Sequence, residues 1–109
     1  MRPARVVIPM LLALSACTTF QVGRDFDLST FDAKVRRGAT TQAEVRDWLG
    51  APTGVGVSVD SAGERLQEWS YYHGEGRFPK MENAHLKVLQ IKFDQRGVVR
   101  AYNWSGEGK

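Results

Sequence analysis

The sequence predicts an α+β domain in which two short N-terminal helices pack on one face of a three- to four-stranded antiparallel sheet. Val45, Trp48 and Leu49 recur at the spacing of one helix face. Beyond Pro52 the apolar period changes to two, which is typical of half-buried strands. The turn signals DSAG and DQRG then divide this second part into two hairpins. Because the helices must bury their apolar stripe on one face of the sheet, the other face is left for water or a partner.

Length and composition indicate one modest globular domain. The chain has 109 residues, of which 42% are hydrophobic and 25% charged. Its formal charge of +3 does not indicate nucleic-acid binding, because Arg2 and Arg5 precede every acidic residue and no basic stripe with interleaved aromatics follows. The single cysteine, Cys17, cannot form an internal disulfide and has no second cysteine for a metal or redox pair.

The first 16 residues have the layout of a secretory signal. MRPAR carries two positive charges, Val6–Leu14 is mostly apolar, and small residues precede Cys17. The apolar run is too short to span a membrane, since a spanning helix needs roughly 20 apolar residues. We therefore expect residues 1–16 to be a cleaved signal peptide, with the cut between Ala16 and Cys17.

The end of this leader, Leu14-Ser15-Ala16-Cys17, resembles the lipobox of bacterial lipoproteins. In those proteins the cysteine thiol receives diacylglycerol and the cysteine becomes the first mature residue. Acyl chains on one residue can hold a small domain on a bilayer, because each buried CH₂ contributes about 0.8 kcal/mol. Thr18 rather than aspartate follows, which resembles lipoproteins exported to the outer membrane. We expect Cys17 to anchor the domain in outer-membrane lipid on the periplasmic face; the alternative is an ordinary signal peptide that leaves Cys17 as a free or buried thiol.

The segment between the lipid and the domain is short and polar. Residues 17–27 show no sustained periodicity and are predicted to form a lipidated tether. The domain is expected to span residues 28–104. Ser29, with Asp32 three residues later, predicts the start of a first helix that extends to Arg37.

A capping-box pattern predicts the second helix. Thr41 precedes Glu44 by three residues, and such a cap contributes on the order of 1 kcal/mol. Gly50 and Pro52 end the pattern, so the helix is predicted over Thr41–Leu49.

Alternating apolar residues predict the strands that follow. Residues 55–59 and 65–72 should form one hairpin and residues 86–104 a second. Residues 73–83 are rich in glycine and polar side chains and are predicted to be a long loop. The tail at residues 105–109 should fray.

In this order the motifs resemble the SmpA/OmlA family of outer-membrane lipoproteins, which includes the BamE-like subunits of the β-barrel assembly machinery. The lipobox LSAC comes first. GATTQAEVRDWLGAPT then resembles the family pattern G-x-T-T-x-x-x-V-x-x-x-L-G-x-P, and LQIKFDQRGVV resembles L-x-V-x-F-D-x-x-G-x-V. Trp69 and Tyr71 supply an intervening W-x-Y.

The resemblance implies a BamE-like domain without enzymatic activity or cofactor. Its partners would be envelope proteins, among them barrel-assembly subunits, and its role would be to support the assembly of outer-membrane β-barrel proteins or envelope integrity. The same fold occurs in binding modules that inhibit enzymes, so a lipid-anchored inhibitor or ligand-binding module is the alternative.

Few residues suggest chemistry. His73 and His85 lack metal-ligand spacing and a neighbouring cysteine, so no metal site is expected. An envelope hydrolase is the least supported class, because no serine has a nucleophile-elbow context. Trp48, Trp69 and Phe93 are expected in the core. The candidates for contact with a partner or with lipid headgroups are Tyr72, Arg77, Phe78 and Lys80.

Overall fold

Two helices and one five-stranded antiparallel sheet make up residues 18–78 and 84–106, the part of the chain that the computed structural model describes. In chain order the elements are β1 (Thr18–Gly23), α1 (Leu28–Lys34), α2 (Gln42–Leu49), β2 (Gly54–Val59), β3 (Arg65–Phe78), β4 (His85–Phe93) and β5 (Val99–Ser105). The α+β class expected from the sequence is confirmed, but the three- to four-stranded sheet has a fifth strand. The predicted signal peptide with Ala16, the lipidation candidate Cys17 and the contact candidate Lys80 lie outside the described residues.

The long strand β3 organises the sheet. Its 14 residues pair with three other strands. β4 runs along one side of β3 and carries β5 on its outer side. On the other side of β3 two strands pair one after the other. β2 pairs with residues 65–70 and β1 pairs with residues 73–78.

One hydrophobic core joins the helices to one face of the sheet. Phe31 of α1 packs edge-on against Tyr102 of β5, with ring centroids 5.2 Å apart. Trp69 and Phe93 pack in the same manner at 4.8 Å, so their predicted place in the core is confirmed. The core cluster consists of Phe26, Leu28, Phe31, Val45, Trp69, Tyr71, Leu89, Ile91, Phe93 and Val99.

Helix α2 follows its sequence pattern closely. The Thr41 hydroxyl accepts from the Glu44 backbone N–H at 3.2 Å, and the Glu44 carboxylate accepts from the Thr41 N–H at 3.0 Å, which confirms the capping box. Val45 is fully buried, while Trp48 and Leu49 are partly buried against the core. The predicted apolar stripe therefore faces the sheet.

Helix α1 differs from the prediction at both ends. Asp27, not Ser29, is its N-cap, because the Asp27 carboxylate accepts from the Thr30 backbone N–H at 3.0 Å. The helix ends at Lys34 rather than Arg37. After Lys34 the chain leaves the helical path because it forms backbone hydrogen bonds with β5. The Gly38 N–H donates to the Val99 carbonyl oxygen and the Val99 N–H donates to the Thr40 carbonyl oxygen, both at 2.8 Å.

The predicted tether is wrong over its described part. Thr18–Gly23 forms β1, and Phe26 belongs to the core. Phe20 and Val22 do lie two residues apart on one face, but this alternation is too short to predict a strand by itself. Pairing with β3 supplies the backbone hydrogen bonds of Thr18–Gly23, so these residues belong to the folded domain and not to a tether.

The predicted loop at residues 73–83 is also wrong over its first part, because β3 continues to Phe78. The glycines there do not mark a turn. A Cβ at Gly74 would lie 3.1 Å from Val22 Cγ2 and 3.2 Å from Leu86 Cδ1. The glycine thus makes room for side chains of the neighbouring strands.

The described part of the domain extends beyond its predicted end at residue 104. Ser105 is the last residue of β5 and pairs with Val88, so it does not belong to a frayed tail.

Candidate interaction surfaces

The described residues hold no group of three or more histidine, cysteine, aspartate or glutamate residues that could bind a metal ion. His73 Nε2 lies 3.7 Å from the Glu75 carboxylate, and His85 is opposite Glu75 in the β3–β4 register. The two histidines therefore lie on the same face at one end of the sheet.

The buried Tyr71 hydroxyl is a structural group. It donates to the Gly50 carbonyl oxygen at 2.7 Å and thereby joins β3 to the end of α2. Burial raises the pKa of Tyr71 to about 12, so the hydroxyl remains protonated and keeps this bond at neutral pH.

One end of the sheet has two chemically different faces. We call this end the terminal blade: β1 together with residues 72–78 of β3 and residues 85–88 of β4. Successive side chains of a strand point to opposite faces, so the register assigns each residue of the blade to one face. The face opposite the helices carries Phe20, Val22, Tyr72, Leu86 and Val88. The helix-side face carries Thr19, Gln21, His73, Glu75, Arg77, His85 and Lys87.

The apolar face of the blade is open to solvent. Leu86 is 61% exposed and Val22 47%, while Tyr72 is 37% exposed. The sequence singled out Tyr72 on this face but not Val22 or Leu86. The short alternations of Phe20 with Val22 and of Leu86 with Val88 are the local signals that could have found the rest of the face.

The structure divides the predicted contact patch. Tyr72 lies on the apolar face of the blade, and Arg77 lies on the polar face. Phe78 ends β3 opposite Thr18, and Lys80 lies outside the described residues. Tyr72 and Arg77 therefore do not form one aromatic and basic surface.

A buried lysine holds the polar face of the blade to the start of α1. The Lys87 ammonium is 2.7 Å from Asp25 Oδ1 and donates to the Phe26 carbonyl oxygen at 2.6 Å. It also lies 4.9 Å from the centroid of the Phe26 ring. The hydrogen bond from Lys87 holds the pKa of the Asp25 carboxyl below its usual value. This contact positions the chain where β1 leads into the helices.

Strand β2 forms a second candidate surface. Among the described strands, none pairs with its outer edge, so a row of backbone N–H and C=O groups is available to another strand. Val55, Val57 and Val59 lie on its helix-side face and are 61%, 56% and 59% exposed. Gly54, Gly56 and Ser58 occupy the other face, and no residue of β2 is charged.

Neither described helix has the length and apolar character needed to cross a bilayer. Comparisons with family models, curated proteins and solved structures found no match to this chain.

Proposed function

We propose that this protein is a non-enzymatic outer-membrane lipoprotein, anchored through acylated Cys17 with its domain on the periplasmic face. In this role it is a BamE-like interaction subunit that supports the assembly of outer-membrane β-barrel proteins. The observation that carries the proposal is the lipobox LSAC directly before an α+β domain whose motifs follow the order of the SmpA/OmlA pattern. The two-helix α+β fold is compatible with that pattern.

The open edge of β2 is the surface that suits such a partner. An outer-membrane strand alternates apolar and polar side chains along its length. A strand of this kind, added to the edge of β2, would place its apolar side chains beside the three valines and its other side chains beside Gly54, Gly56 and Ser58. Because β2 carries no charge, the partner strand meets no like-charge repulsion from it. We therefore assign the edge of β2 to an extended strand of a barrel protein.

The anchor is tested by the variant Cys17→Ala. We expect the domain to remain folded but to leave the outer-membrane fraction or to accumulate as the uncleaved precursor, because the thioether can form only on a thiol. The measurement is fractionation of cell envelopes followed by intact-mass analysis of the wild type and the variant. A correctly cut variant that still fractionates with the outer membrane would contradict the lipid anchor.

The partner is tested by photocrosslinking in intact membranes from position 57. A photoreactive residue replaces Val57, and a second variant carries it at Ala43, which is exposed on α2 and serves as the control. Crosslinks from position 57 to barrel proteins or to their assembly subunits, with none from position 43, would support the proposal. Crosslinks to a single soluble enzyme would support the inhibitor instead, and crosslinks only to a second copy would show that the edge makes a homodimer.

A further inference from the structure

We propose that the apolar face of the terminal blade inserts into the surface of the bilayer that holds the acyl chains of Cys17. This inference rests on the lipid anchor and adds what the anchor alone does not specify, namely which face of the domain meets the membrane. The occupant of the open face is thus lipid, and the polar face of the blade remains in water.

The first argument is the distance from the anchor to the blade. β1 begins at Thr18, which follows Cys17 directly, so no flexible linker separates the acylated residue from the sheet. Phe20 and Val22 lie about 7 and 14 Å along β1 from Thr18, at a rise of about 3.4 Å per residue. A blade that starts at the bilayer surface therefore keeps these side chains within reach of it.

The second argument is where the apolar side chains lie on the open face. The exposed large hydrophobic residues on this face are Val22, Tyr72 and Leu86, and all belong to the blade. Toward β2 the same face carries polar side chains such as Glu68, Ser70 and Gln90, and its hydrophobic residue Leu66 is buried, with 3% of its surface exposed. The apolar character thus increases toward the anchor, as expected for a surface that meets lipid at that end only.

The third argument is the amphipathic character of the blade. The side chains of Val22 and Leu86 approach each other above Gly74, which has no side chain. A Cβ at Gly74 would lie 3.1 Å from Val22 and 3.2 Å from Leu86, so the two side chains form one continuous apolar surface. On the reverse face Gln21, Glu75 and Arg77 are exposed, and Gln21 donates to Glu75 at 3.4 Å. A bilayer-surface element requires this division, in which the apolar side enters the boundary of the acyl chains and the polar side stays hydrated.

The test uses the acylated full-length protein in vesicles of phosphatidylethanolamine and phosphatidylglycerol. Cys17 is the only cysteine, so once it is acylated a new cysteine provides the only free thiol for an environment-sensitive fluorophore. Leu86→Cys probes the apolar face. Val55→Cys is the matched control, because both side chains are 61% exposed but Val55 lies on β2. Val22→Cys and Gln21→Cys form a second pair of adjacent residues on opposite faces of β1.

We expect the fluorophores at positions 86 and 22 to shift to the blue and to be quenched by spin-labelled lipid, and those at positions 55 and 21 to be quenched by aqueous iodide. The Val22→Cys variant keeps the test decisive if Leu86→Cys folds poorly, as judged by circular dichroism. Acylated protein that floats with the vesicles but keeps all four positions in water would overturn the insertion alone. If the protein purified from cell envelopes carries no acyl chain on Cys17 and does not float with the vesicles, both the anchor and the insertion are overturned.

A third arm separates lipid from a protein partner. Protection of position 86 in native outer membranes, together with exposure to iodide in vesicles of purified protein, would show that a protein covers this face and would overturn the inference. Equal protection in both preparations would support it.

Discussion

At the scale of single residues, a glycine fixes the junction between β1 and the rest of the domain. Gly23 has a φ of +71°, and a Cβ there would overlap the carbonyl oxygen of Tyr72 and lie 2.7 Å from Tyr72 Cδ1. The same carbonyl oxygen accepts from the Arg24 backbone N–H at 3.2 Å. Gly23 therefore allows the chain to turn away from β3 without losing contact with it.

This geometry predicts different costs for two glycine substitutions. Gly50 also has a positive φ, of +83°, but a Cβ there would meet nothing within 4 Å. Gly50→Ala should lower the free energy of unfolding by on the order of 1–3 kcal/mol through backbone strain alone. Gly23→Ala should lower it further, by about 1–3 kcal/mol of steric overlap. Urea unfolding followed by tryptophan fluorescence measures both, and equal losses would mean that β1 moves aside without cost.

Residue-level features were predictable where both partners lie close in sequence. The Thr41–Glu44 capping box was predicted because three residues separate its members. The ion pair between Lys87 and Asp25 was not, since nothing local links a lysine in the second hairpin to an aspartate near the N-terminus. Likewise, sequence suggested Ser29 as a helix cap, but Asp27 caps α1 and also accepts from the Ser29 hydroxyl at 2.9 Å.

At the scale of elements, local periodicity predicted the helices and the central strands. β1 and the end of β3 form strands because of long-range pairing, which local periodicity does not show. The alternation of Leu89, Ile91 and Phe93 was sufficient to place one face of β4 in the core, where all three are fully buried. β1 has no comparable run. β1 is extended because its backbone pairs with residues 73–78 of β3. Those residues of β3 are extended because they pair with β1 on one side and with β4 on the other. Each segment alone has the composition of a loop, so no local pattern predicts either.

The two ends of β3 use their exposed apolar residues in different ways. At the β2 end the valines lie on the helix-side face, beside an open strand edge. At the blade end Val22 and Leu86 lie on the opposite face, and the edge of β3 is covered by β1. Among the described strands β1 is also an edge strand, so both ends of the sheet offer backbone groups to a further strand. The ends differ in the face on which their exposed apolar side chains lie and in the closeness of the blade to Cys17, and for these reasons we assign the β2 end to a polypeptide and the blade to lipid.

At the scale of the whole molecule, the assigned surfaces place the partner away from the membrane. Lipid would hold the Thr18 end of the sheet, and β2 pairs with the opposite end of β3. The helices cover the core between these ends, on the face that bears Trp69 and Ile91. A subunit arranged in this way would present its open edge to periplasmic polypeptides while its apolar face remains on the bilayer.

The stability of this molecule should fall in acid. Among the described residues, three carboxyls have a pKa below the usual value: Asp25 through the Lys87 ammonium, Asp27 through the Thr30 hydroxyl, and Asp94 through the Val98 backbone N–H. In the unfolded chain these aspartates have pKa values of about 3.9, so in acid the unfolded chain binds more protons than the folded protein. The stabilisation from these carboxylates is therefore complete above that pH and is lost as the pH falls through the pKa values of the folded protein.

Urea unfolding at a series of pH values should therefore show a free energy of unfolding that is level near neutrality and declines below about pH 4 to 5. Asp27→Asn is the informative variant, because asparagine still caps a helix but does not titrate, so its decline should be shallower than that of the wild type. A free energy of unfolding that stays level into acid, or an Asp27→Asn profile parallel to the wild type, would contradict the assignment of these carboxylates as stabilising groups.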